Sequence, residues 1–301
     1  MNHPIHGVLA ALLTPRPADT TVDSASLEAL VTALKQRGIA GFVVNGATGE
    51  YCLTTPAELR TMLRCVRKAG GDDVQLVCGV GGPGMAQVLE LASVAAEYGA
   101  DALLLPPPHF FPYQQDDLDV FYRAAAAAVE GPVIIYNIPQ FTSPVNVGTA
   151  RSLIHDVPKI IGIKDSSGSL EILRALTHTN APACRIVGND AALPQAVREG
   201  VCDAVISGVA CVLPELVQAI FNHAGSAENP ANLLLGEFLR AIDEFPVPWG
   251  LRWAAEAAGL VPSWSSQPVS PRRAERAAHL KTWFKQWHPA VSAHVGATAM
   301  R

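Results

Sequence analysis

Short apolar runs rich in β-branched residues recur along the chain, each followed by turn residues and then by an amphipathic stretch. That alternation is the signature of repeated βα units. Eight runs are visible, at residues 8–13, 42–45, 75–79, 102–105, 133–136, 160–164, 185–188 and 204–207. Helical periodicity falls between them, as at 26–37, 56–69, 85–98, 115–128, 170–177 and 191–199. The runs are apolar on both faces, as buried parallel strands must be. Eight such units suit a closed barrel better than an open doubly wound sheet. The predicted fold is therefore α/β, a (β/α)8 TIM barrel over residues 1–224. A C-terminal helical extension over 225–301 should pack on it, with helices at 230–243, 248–259 and 271–287 punctuated by prolines, and a mobile last dozen residues.

Composition narrows the function classes. The 22 basic and 27 acidic residues give a net charge of −5 with no basic run, which argues against nucleic-acid and anionic-membrane partners. The N-terminal apolar stretch has no basic start and is broken by Pro15, so neither a signal peptide nor a membrane span is expected. The expected location is the cytoplasm. Cys52, Cys65, Cys78, Cys184, Cys202 and Cys211 are scattered without metal-ligand spacing, so free buried thiols are expected, and no metal.

In a barrel the C-terminal ends of the strands build the active site, so polar residues closing apolar runs are the ones to inspect. Lys164 ends the run Ile160-Ile161-Gly162-Ile163 and is the one lysine of six placed this way. A desolvated lysine loses proton affinity, and only its neutral amine attacks a carbonyl. A structural ion pair, for instance with Asp165, is the alternative for an isolated lysine. Tyr136 ends the preceding run and should stand at the same mouth, where a phenol can shuttle protons or simply be satisfied by backbone. The loop Gly46-Ala47-Thr48-Gly49-Glu50 could hold a carboxylate on its N–H groups and on the Thr48 hydroxyl, or be an ordinary turn. The segment Gly79-Val80-Gly81-Gly82-Pro83-Gly84 matches a dinucleotide fingerprint, but no acid ends the next run, and a nucleotide site is not expected.

Taken together, Tyr136-Asn137-Ile138-Pro139, Ile161-Gly162-Ile163-Lys164-Asp165 and Gly46-Ala47-Thr48-Gly49-Glu50 resemble the dihydrodipicolinate synthase and N-acetylneuraminate lyase family. Val187-Gly188-Asn189-Asp190 and Ala204-Val205-Ile206-Ser207 extend the likeness, which runs from about residue 7 to 216. The resemblance implies a homotetramer built from dimers, and pyruvate or another 2-oxo acid held as an imine on Lys164. Its carboxylate would be gripped at Thr48 and the neighbouring backbone of Ala47 and Gly49. Tyr136 would carry protons, Ile206 would line the pocket and Gly188 would leave room for substrate. No metal or organic cofactor is implied, since the imine is itself the electron sink.

Three departures bear on the substrate. The synthases have a proton-relaying threonine where Ala47 stands, a second tyrosine where Phe110 stands, and a carboxylate-binding arginine where Phe141 stands. Both relay hydroxyls are thus missing together, and His109 or a water is the expected replacement. The expectation is an aldolase or hydro-lyase for a 2-keto-3-deoxy sugar acid or an aromatic 2-oxo acid, with an aldehyde as the possible second partner. The alternatives are dihydrodipicolinate synthesis or N-acetylneuraminate cleavage proper, and a non-catalytic 2-oxo acid sensor. His109, Phe110, Phe111 and Phe141 would give a less polar pocket or pack an interface.

Overall fold

The computed structural model describes residues 5–16, 21–177, 183–223 and 229–299. Eight parallel strands pair in chain order and close, β8 joining β1. They are β1 (Gly7–Ala11), β2 (Gly41–Val44), β3 (Gln75–Gly79), β4 (Ala102–Leu105), β5 (Val133–Asn137), β6 (Ile160–Asp165), β7 (Cys184–Val187) and β8 (Ala204–Ser207). A helix follows each strand: α1 (Ser24–Gln36), α2 (Pro56–Gly70), α3 (Met85–Glu97), α4 (Gln115–Ala128), α5 (Val147–Asp156), α6 (Glu171–Thr177), α7 (Leu193–Glu199) and α8 (Pro214–Asn222). Three more complete the described chain: α9 (Pro230–Ile242), α10 (Trp249–Ala257) and α11 (Pro271–Ala299). The expected boundary at 224/225 lies outside the described residues.

Local sequence explains where these elements begin. Asp23 accepts from the Ser26 N–H at 3.1 Å to cap α1, and Thr55 with Glu58 forms a capping box ahead of Pro56 on α2. Asn146 caps α5 by accepting from Thr149 at 2.8 Å. The tail differs from its expectation, because α11 runs past Pro289 to Ala299. Val291 is buried there, against the core cluster.

Strand pleating divides the core in two. One face of each strand fills the barrel with Leu9, Ala11, Val43, Val77, Leu104, Ile134, Tyr136, Ile186 and Ile206. The other face, with Ala10, Phe42, Leu76, Leu103, Ile135, Ile163 and Val205, packs under the helices. Side chains on a strand alternate, so Gly162, Lys164 and Ser166 form the inward row of β6 and its extension. That row has no aliphatic side chain. β6 therefore presents an amine at Lys164 where its neighbours present Tyr136 and Ile186, and at Gly162 it is closed by β7, since a Cβ there would lie 2.1 Å from Cys184 O.

Candidate active site

Lys164 is 4 % exposed, and its Cα pairs with Tyr136 on one side and Ile186 on the other. Its Nζ lies 4.1 Å from the centre of the Tyr136 ring. The ion pair with Asp165 does not form. Asp165 faces the opposite way, and its Oδ1 accepts from Asn137 at 3.0 Å and from the Ser167 N–H at 2.9 Å. Burial lowers the Lys164 pKa to about 7, and nearby Asp190 offsets part of that shift. A substantial share of the amine is thus neutral near pH 7. Burial also raises the Tyr136 phenol, with the neighbouring Ser166 hydroxyl acting in the opposite sense.

These groups open on a cavity of about 400 Å³ at the C-terminal mouth of the barrel. Ala47 and Thr48 border it from the loop after β2, with Gly188 and Asp190 from the loop after β7 and Ile206 from β8. Gly188 is small by necessity. A side chain there would place its first carbon 2.2 Å from the Ser166 hydroxyl and 2.6 Å from Lys164 Cε. Gly49 does not line the cavity; it lets the loop pass close to β1, since a Cβ there would meet Leu12 O at 3.2 Å and Thr14 Oγ1 at 3.1 Å. Thr48 is buried against Gly208, which is wedged between it and Leu251 of α10.

Asp190 receives a hydrogen bond from the Ser207 hydroxyl. Burial raises its carboxyl to about 6, against the pull of Ser207 and Lys164. The site thus holds one acid and one amine that both titrate near neutrality.

The rim is aromatic. Phe141 borders the cavity and is 49 % exposed, on a tight turn whose N–H bonds Ile138 O at 3.0 Å. His109 and Phe110 are not among the residues bordering the cavity within this chain. The His109 ring instead stands edge-on to Tyr51 at 5.7 Å, and its backbone bridges Thr142 of the turn carrying Phe141. The expected His109 relay therefore has no geometric support inside one chain. Phe110 is 85 % exposed at φ +87° and packs edge-on against Phe111.

Two groups of residues escaped the sequence reading. Ser166 borders the cavity two residues beyond Lys164, on the same inward row; the period of two along a strand would have found it. Leu239, Ile242, Phe245 and Leu251 of the C-terminal helices and their connection wall the outer cavity, together with Asp243. Only tertiary packing brings those to the mouth. The glycine run after β3 has a structural explanation: a Cβ at Gly79 would lie 1.9 Å from Asn45 O, and one at Gly81 would meet Pro106 and Tyr51. Among the described residues no cluster of three or more metal-ligating side chains is present, and no helix is long and apolar enough to cross a membrane.

The profile of the dihydrodipicolinate synthetase family matches residues 4–287. A 4-hydroxy-tetrahydrodipicolinate synthase from Methanopyrus kandleri is 30% identical, over 95% of this chain and 97% of its own length. A chloride-inhibited dihydrodipicolinate synthase from Acinetobacter baumannii, solved with pyruvate, superposes with a TM-score of 0.84 at 26% identity, covering 97% of this chain and 99% of its own. Ruminococcus gnavus sialic acid aldolase shares the fold, with a TM-score of 0.84 at 18% identity over 96% of this chain and 100% of its own.

Proposed function

We propose, starting from the fact that this chain belongs to the dihydrodipicolinate synthetase family, that it is a lyase working through an imine between Lys164 and pyruvate or a related 2-oxo acid. The observation that carries this reading is the buried amine of Lys164, lowered to about 7 and set 4.1 Å from the Tyr136 ring. Its neutral form attacks the C2 carbonyl, and the C2 hydroxyl leaves as water once protonated. Tyr136 supplies that proton and later recovers one from substrate. The Thr48 hydroxyl and the N–H groups of Ala47 and Thr48 grip the carboxylate. The protonated imine takes up the electron pair when the bond beyond C3 breaks, so neither a metal nor an organic cofactor is part of the proposal.

The substrate proposed is a 4-hydroxy-2-oxo acid, cleaved to pyruvate and an aldehyde or dehydrated, whose far end is sugar-acid-derived or aromatic. The apolar outer wall of Phe141, Ile242, Phe245 and Leu251 supports the less polar end of that range. Dihydrodipicolinate synthesis is the second reading, favoured by the names of the relatives. Ala47 and Phe141 weigh against it, since one lacks the relay hydroxyl and the other offers a half-exposed ring where a second anionic substrate needs a cation. A homotetramer made of dimers and residence in the cytoplasm belong to the same proposal; the exposed Phe110 and Phe111 pair supports an interface there.

Borohydride reduction in the presence of pyruvate, followed by intact mass, tests the imine. One pyruvate-derived adduct located at Lys164 is expected, and no adduct overturns the reading. A panel of 4-hydroxy-2-oxo acids assayed for pyruvate release then identifies the substrate. An adduct formed without turnover on any member would favour a 2-oxo acid sensor.

A further inference from the structure

The proposed reaction moves protons between Tyr136 and the substrate, and a hydroxyl placed between them would carry them; Ala47, which stands where the synthases have their relay threonine, offers none. His109 lies against Tyr51 and away from the cavity. Ser166 is different in each respect. Its hydroxyl is buried, borders the cavity beside Lys164 and Tyr136, and forms no hydrogen bond of good geometry in the protein, although the Tyr136 phenol lies near enough to feel it. A buried hydroxyl without a partner is costly and calls for an explanation.

The backbone fixes where that hydroxyl points. The Ser166 N–H donates to Asn137 O at 2.8 Å, continuing the β5–β6 ladder, and its carbonyl accepts from Gln140 Nε2 at 2.9 Å. The absence of a side chain at Gly188 leaves open the space onto which Ser166 Oγ and Lys164 Cε both border. The phenol of Tyr136 responds to the same hydroxyl. Amine, phenol and serine thus converge on one gap.

We infer that Ser166 is the relay hydroxyl of this enzyme, passing protons between Tyr136 and the imine-bound substrate. The inference rests on the imine reading above. In imine formation the departing C2 hydroxyl takes the Ser166 proton while Ser166 takes the Tyr136 proton. The C–O bond breaks, nitrogen supplies the pair for C=N, water leaves, and Tyr136 is left as phenolate beside the cationic imine. In the next step a C3–H bond breaks, its proton goes to Ser166, and the Ser166 proton returns to Tyr136. The C–H pair becomes C2=C3 as the C=N pair returns to nitrogen, giving the neutral enamine. Charge and protons balance at both steps.

The test separates this role from the imine itself. Wild type, Ser166→Ala and Ser166→Thr are incubated with pyruvate in D2O, exchange of the methyl protons is followed by NMR, and the endpoint borohydride adduct is weighed. Ser166→Ala should still give the full Lys164 adduct while exchange slows by about a hundredfold, the usual weight of a positioned proton carrier. Ser166→Thr, which keeps a hydroxyl, should recover exchange to within about tenfold of wild type. Exchange in Ser166→Ala within about threefold of wild type overturns the relay, as does equal slowing in both variants with the adduct intact. Wild type without an adduct overturns the imine reading instead.

Discussion

The floor of the cavity and its rim are built by different means. On the floor, Lys164, Tyr136 and Ile206 sit on strands whose registers are locked by the barrel ladder, and Ser166 is held by a backbone bond to Asn137 and by the Gln140 side chain. At the rim, Phe141 hangs from a turn, half exposed, and the outer wall comes from helices distant in sequence. A reaction centre must be preorganised to fractions of an ångström, which strands achieve and loops do not. Substrate choice tolerates a softer surface. The expectation is that floor substitutions remove chemistry while rim substitutions change which substrate is accepted.

The largest effect should come from Lys164→Met. Removing the nucleophile should cost at least about a thousandfold in turnover and eliminate the borohydride adduct. The same change should raise the melting temperature. The folded-state pKa of about 7 lies below the ordinary 10.5, so between those values the native protein binds fewer protons than the unfolded chain. The stability tied to this group therefore rises with pH across that window, and at neutral pH burying the amine costs on the order of a few kcal/mol. Thermal scans at pH 7 and pH 9.5 should show the gain of Lys164→Met shrinking at the higher pH. A melting temperature below wild type at both would mean that Lys164 is a structural lysine. Next in size is Gly188→Ala, whose added methyl would lie 2.2 Å from the Ser166 hydroxyl. A loss of about a hundredfold in kcat/KM with folding retained is expected, because a displacement of about 1 Å at reacting groups has that weight.

The two regions also differ in how far sequence alone reveals them. Lys164 and Tyr136 stood out because a polar residue closing an apolar run is rare, and the eight runs themselves gave the closed barrel. Strand ends moved by one or two residues, as with β1, read as 8–13 and found at Gly7–Ala11, because periodicity carries no sharp stop signal. Ser166 obeys the same alternation but lies beyond the apolar run that Lys164 closes, so the run itself does not point to it. His109 was expected in the site because it neighbours aromatic residues along the chain, yet its loop turns it toward Tyr51. The wall of Leu239, Ile242, Phe245 and Leu251 had no sequence signal at all, because it arises from how α9 and α10 pack over the mouth. Short-range chemistry was readable where a strand fixes it, and not where tertiary packing does.

A third test lies between floor and rim. Asp190 raises the Lys164 pKa that burial lowers, so Asp190→Asn should move the amine further toward acid. The initial rate of imine trapping in wild type should climb with pH through a midpoint near 7, following the neutral amine. In Asp190→Asn the midpoint should fall, giving up to about fourfold faster trapping at pH 6.5, where the wild-type Asp190 carboxyl is still mostly ionised. The sign is the strict part. A midpoint moving toward base would mean that Asp190 is not acting on Lys164 as a charge.

The smallest effect should be the most diagnostic of the rim. Phe141 contacts the cavity from a turn that bonds Ile138 O, with its ring half exposed. Phe141→Ala should therefore leave the pyruvate adduct and its pH dependence unchanged. For the best substrate found on the panel it should raise KM by about threefold, the worth of one aromatic contact at a half-exposed site. Phe141→Arg sharpens the point, since it places a cation where the far end of the substrate should lie. That variant should favour substrates ending in a carboxylate over aromatic ones, at unchanged trapping. If either variant impaired adduct formation as strongly as Gly188→Ala does, the division between a chemical floor and a selective rim would fail, because the turn would then be holding the floor in place.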